Sequence, residues 1–167
     1  MKNKSYLHKP YYIHYGTRKF DKNFNYNTGK YIHMREYESC FAKPVGFWAS
    51  HSQSDYDWKH YCLDNDIFLN SFKYSFKFTL KPDTKILTVR SLYDVKDYIR
   101  HVYDPIHHRD YRDEYMLNFD KIYKEYDAME VFHDNYKEIH YSSIFNSWDC
   151  DSICIWNLSK IKPIKEY

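Results

Sequence analysis

Residues 72–80, FKYSFKFTL, set Phe72, Tyr74, Phe76, Phe78 and Leu80 in strict alternation with Lys73, Ser75, Lys77 and Thr79. Side chains of an extended chain leave alternately to its two sides. The pattern therefore predicts a strand with one buried and one wet face, of the kind that pairs antiparallel. Working outward, KPD at 81–83 turns the chain into a second apolar run, KILTV at 85–89. Ser91 is then placed to cap a helix through SLYDVKDYIRHVY, with Leu92, Val95, Ile99 and Val102 inward.

Upstream, YYIHYGT at 11–17 is β-branched and aromatic and stops at Gly16, as a strand ending in a turn does. The polar stretch from Thr17 to Lys30 reads as irregular. KPVGFWAS at 43–50 reads as another short strand, entered through Pro44 and Gly46. Ser54 or Asp55 would cap a helix through DYDWKHYCLDN, which carries Trp58, Tyr61 and Cys62 on one face. Downstream, the charged segment 104–115 opens as a loop and a helix is expected over about 118–126. AMEVF at 128–132 is expected as a strand, followed by ICIWNL and KIKPI after a polar insertion. No repeat or low-complexity linker interrupts the 167 residues, so one α+β domain spanning 1–167 is expected.

Composition narrows the function classes. The 25 Lys and Arg balance 23 Asp and Glu to a net charge of +2, which lacks the polycationic signature of sequence-independent nucleic-acid binding. The basic start MKNKSYLHKPYY is followed by no apolar run, and no membrane-spanning stretch occurs, so a cytosolic protein with no membrane partner is expected. Cys40, Cys62, Cys150 and Cys154 form no CxxC pair and read as reduced core thiols. Twenty Tyr and eleven Phe against three Gly, with abundant Asn, Lys and Ile, match AT-rich codons. That bias predicts a phage, a large DNA virus or a low-GC bacterium as the source, with the host cytosol as the compartment in the first two cases.

Known catalytic spacings are scarce. Ten histidines include no HExxH or other zinc spacing, so no metal is expected. GxGxxG, GxxxxGK[ST] and GxSxG are all absent. Glu130, followed by His133 and Asp134, could be part of an acidic Mg²⁺ cluster of a nucleic-acid-processing enzyme, although a lone strand acid is more often solvated.

Three segments fit together in order: IHYGT at 13–17, GFWAS at 46–50 with SDYDW after it, and DSICIWNLSKI at 151–161. Together they resemble the ADP-ribosyltransferase-like superfamily in its diphtheria-toxin and poly(ADP-ribose) polymerase branch. The resemblance implies two split antiparallel β-sheets with flanking helices, holding NAD as substrate between them. It implies that His14, within the His14-Tyr15-Gly16-Thr17 segment, bonds the adenosine-side ribose, with Tyr15 standing as an insertion relative to the family's His-Gly-Thr. Gly46 and Trp48, with Ser50 behind them, would match the strand whose aromatic packs on nicotinamide. Tyr56 or Trp58 would supply the second aromatic wall. On the late strand Ser152 stands where the family has its glutamate, with Asp151 and Asp149 one and three positions upstream. An acid there would bond the ribose 2′-hydroxyl and steady the charge that develops as nicotinamide leaves.

The resemblance thus implies an NAD-dependent transferase that modifies a macromolecular acceptor, protein or nucleic acid. The displaced acid leaves open a second possibility, a degenerate member that binds without turnover.

Overall fold

The computed structural model describes residues 10–22, 44, 46–102, 114–133, 143–145 and 148–164. Its centre is a seven-stranded sheet formed by β1 (Tyr12–Tyr15), β2 (Phe47–His51), β3 (Ser75–Leu80), β4 (Ile86–Val89), β7 (Ala128–Val131), β8 (Ser152–Ile155) and β9 (Ile161–Pro163). Across the sheet the order is β4-β7-β8-β2-β1-β3-β9. Every neighbouring pair is antiparallel except β4 with β7, so the sheet is mixed. A separate ribbon pairs β5 (Ile99–Val102) with β6 (Glu114–Leu117). The described residues also form two α-helices, α1 (Trp58–Asp64) and α2 (Phe119–Glu125). The expected mixture of helix and sheet is met. The sheet itself is one mixed order of seven with a two-stranded ribbon beside it.

Local differences from the expected elements have local causes. The alternating run over 72–80 becomes strand only from Ser75, where pairing with β1 begins, and Leu69–Lys73 coil as a 3₁₀ turn. The α1 cap is Asp57, not Ser54 or Asp55: its carboxylate accepts the His60 backbone N–H at 3.0 Å. Ser54 and the Tyr56 carbonyl are engaged by Asp151 instead. Ser91 caps as expected, in a capping box with Asp94, but the helix it starts is 3₁₀ and stops at Tyr98. Ile99 and Val102, the β-branched residues assigned to its inward face, lie instead in β5, where a cross-strand partner is available. The helix expected near 118–126 is present with Asn118 as its cap. Residues 23–43, Cys40 among them, and Asp134 lie outside the described residues.

The sheet separates two cores. Registers Trp48 to Cys154 and Cys154 to Met129 put those side chains on one face, with Leu87, Val89 and Val131. Phe119 and Ile122 of α2 join this cluster, as do Val95 and Trp148. The opposite face carries Tyr12, Phe47, Ala49, Phe76, Phe78, Ile153 and Ile155. Cys62, Cys150 and Cys154 are buried thiols. No helix among the described residues is long and apolar enough to cross a membrane.

Candidate functional site

Gly46 opens β2 because nothing larger fits: a Cβ there would sit 2.6 Å from Cys154 Sγ and 2.8 Å from the Ile155 carbonyl oxygen. The close approach draws β2 onto β8 and sets Phe47 and Trp48 to opposite faces of the sheet. On β1 the same alternation separates His14 from Tyr15. Tyr15 and Ile13 share the Trp48 face, since Ile13 is in register with Ser50.

On that face lies a cavity of about 290 Å³. Ile13, Tyr15, Trp48 and Ser152 line it from the strands. Trp58, at the start of α1, and the Asp149-Cys150 loop before β8 line it from beyond the sheet, and His14 and Ala49 complete the wall. Trp48 packs at 4.7 Å against Trp148, and Trp58 stacks at 5.6 Å on Tyr61. The Tyr15 hydroxyl donates to Asp57 Oδ2 at 3.2 Å, which ties the end of β1 to the cap of α1. Ser152 Oγ donates to the Cys150 carbonyl at 3.1 Å. Asp149 is exposed at the wall and accepts a hydrogen bond from the Tyr61 hydroxyl; burial and this carboxylate together raise the Tyr61 pKa.

Six of the residues singled out in the sequence thus meet at one cavity: His14, Tyr15, Trp48, Trp58, Asp149 and Ser152. The others do not line it. Gly16 sits at φ +101°, a left-handed conformation suited to glycine, and turns the chain out of β1. Thr17 follows in that turn, where its hydroxyl donates to the Lys19 carbonyl. Ser50 is 1% exposed and accepts the Trp58 backbone N–H, so it serves the junction of β2 and α1. Tyr56 receives the Asp151 backbone N–H at its carbonyl.

His14 and Asp151 carry the clearest surprises. The His14 ring stacks on Phe47 at 4.4 Å, on the face opposite Trp48. Its Nδ1–H donates to the Trp48 carbonyl at 2.7 Å. Burial lowers its pKa against the pull of that bond, so the ring is neutral near pH 7. Asp151 is 5% exposed, and its Oδ1 accepts the His133 backbone N–H at 2.7 Å. The His133 ring lies 3.2 Å away through Nδ1, and Ser54 donates to Oδ2 at 2.8 Å. Burial opposes the charge on Asp151, but the two His133 bonds and the Ser54 hydroxyl outweigh it and hold the carboxyl below the usual aspartate range. In this network Asp151 lies between Ser54 and His133, not behind the histidine as in a hydrolase triad. His133 Nε2 also faces the Trp148 carbonyl at 3.0 Å, so the network positions the 148–150 loop at the cavity wall.

Glu130 is on the far face, where Tyr12 donates to Oε2 at 2.9 Å and Thr88 to Oε1 at 2.7 Å. Its carboxylate and the His133 ring therefore belong to different networks. Among the described residues, no three His, Cys, Asp or Glu side chains are grouped as metal ligands. Comparison with family models, with curated proteins and with solved structures finds no match.

Proposed function

We propose that the cavity beside Trp48 takes the nicotinamide end of NAD, and that the protein is an ADP-ribosyltransferase-like enzyme acting on a macromolecular acceptor. One observation carries this reading: residues drawn from three separated motifs, at positions 14–15, 48–58 and 149–152, line one cavity. A volume of about 290 Å³ suits a single ring and not a whole dinucleotide, so the rest of NAD would extend out of the mouth. Trp48 and Trp58 supply flat walls against which an electron-poor ring stacks favourably.

The acid of the reaction in this proposal is Asp149. It lines the cavity with Ser152, whereas Asp151 is consumed by His133 and Ser54. Tyr15, next to the His14 to which the resemblance gave the adenosine-side ribose, adds a third aromatic to the cavity wall. In the transfer the bond between ribose C1′ and the nicotinamide nitrogen breaks, its electron pair going to the nitrogen. An acceptor nucleophile bonds to C1′ and releases a proton. The carboxylate of Asp149 offsets the positive charge on the ribose as that bond opens.

A second reading, a binding protein that does not turn NAD over, is favoured by the hydrogen bond that occupies Ser152 and by the exposure of Asp149. Calorimetric titration with NAD and a nicotinamide-release assay on the same sample separate the two. Binding with release, both lost in Trp48→Ala, is expected for the transferase. Binding without release in the presence of cell extract selects the second reading, and absence of binding overturns both.

A further inference from the structure

We infer that the cavity selects its occupant by positive charge: it is a cage for a flat or methylated organic cation, of the pyridinium or quaternary ammonium class. The inference rests on the cavity reading above and names the ligand chemistry it admits.

Three aromatic residues, Tyr15, Trp48 and Trp58, line the cavity, and aromatic faces attract a cation through their quadrupoles. Among the described residues, the lining includes one carboxylate, Asp149, and no Lys or Arg. His14, the histidine among the described lining residues, has Nδ1–H committed to the Trp48 carbonyl, and burial lowers its pKa. A second carboxylate, Asp57, is bonded to the Tyr15 hydroxyl through Oδ2 and to the His60 ring through Oδ1. The charge that the described lining offers a bound ring is therefore that of Asp149, with apolar surface to exclude water and strengthen the attraction. A phosphate or carboxylate would meet Asp149 and, among the described residues, no Lys or Arg in the wall. A desolvated ammonium bearing methyl groups, or a pyridinium ring, matches both the aromatic surface and the charge. A plain ammonium ion is more strongly hydrated and matches only the charge.

The test is a matched pair of small probes, 1-methylnicotinamide, which is a cation, and nicotinamide, its neutral counterpart of nearly the same shape. Each is titrated into the purified protein with tryptophan fluorescence as the readout. We expect the cation to bind about tenfold more tightly, and Asp149→Asn to remove most of that preference. Asp149 is exposed, and the thermal melt of the variant checks that its fold is kept. Equal affinity for the two probes, tighter binding of nicotinamide, or no binding of either overturns the inference.

The outcome is separable from the fate of the transferase reading. Preference for 1-methylnicotinamide without NAD binding keeps the cation cage and removes NAD. NAD cleavage with no preference between the probes keeps the transferase and removes charge selection. Tetramethylammonium as a third probe distinguishes the two cation sources: binding comparable to 1-methylnicotinamide assigns the cage to methylated ammonium groups in general, and weaker binding to pyridinium rings. Either result supports a cation cage.

Discussion

The two faces of β1, β2 and β8 are built from alternate residues of the same strands, yet one carries a dry core and the other holds a cavity beside a second core. On the first, Phe47 meets Phe76 and Phe78 with ring centroids 5.9 and 5.6 Å apart, and Ile153 and Ile155 are fully buried. On the second, Tyr15, Trp48 and Ser152 have Trp58 and the Asp149-Cys150 loop across from them, and a space remains between. Neighbouring residues consequently do opposite work. Phe47 packs where Trp48 lines, and His14 stacks where Tyr15 lines. An adjacent pair on a strand is not a functional unit, because period two sends its members to different environments.

The contrast can be broken most strongly from the dry side. Phe47→Ala leaves a void among Phe20, Phe76 and Phe78 and should cost about 3–5 kcal/mol, read as a fall in the denaturant midpoint at unchanged slope. Asp151→Ala comes next. It strips acceptors from the His133 N–H and the Ser54 hydroxyl and should cost about 3 kcal/mol. This network also gives stability a defined acid limb. The Asp151 pKa is lower in the folded than in the unfolded state, so its contribution is complete above the unfolded value, about 3.9, and is lost as pH falls through the folded one. Unfolding followed from pH 6 to pH 2 should show a steep acid loss that is reduced in Asp151→Ala; parallel curves for the two proteins would remove Asp151 from that role.

The smallest effect belongs to the cavity side. Tyr15→Phe removes one hydroxyl bond to Asp57 while keeping the aromatic wall, for about 1 kcal/mol by thermal melting. Binding of 1-methylnicotinamide should persist in it, because the ring and not the hydroxyl faces the ligand in the cage. Loss of that binding with the fold retained would move the contact from the ring to the hydroxyl.

Much of the sheet was legible in the sequence because its signals are local. Alternation in β3, the β-branched and aromatic run of β1 and the apolar run of β8 each mark a strand without reference to the rest of the chain. The two faces of residues 91–102 were not legible. Leu92, Val95 and Ile99 at helical spacing predicted one helix, and only the presence of β6 as a partner divides the segment into a 3₁₀ turn and a strand. The mixed sheet has the same origin, since the parallel pairing of β4 with β7 joins residues about 42 positions apart, as the Thr88 to Glu130 bond does.

By itself, then, the sequence determined that this is a mixed α/β chain and where most of its strands lie, and it singled out residues near positions 14, 48, 58 and 150, several of which line the cavity. Tertiary structure alone decided which of those residues share a space. Asp57 capped α1 because Ser54 was already bonded to Asp151, ninety-seven positions away. Tyr15 joined His14 at the cavity wall, and Asp149 took the place there expected of Asp151. The physical reason is common to all three. A strand's period is set by its own backbone, but its register and the choice of the face to be covered depend on partners far away in the chain.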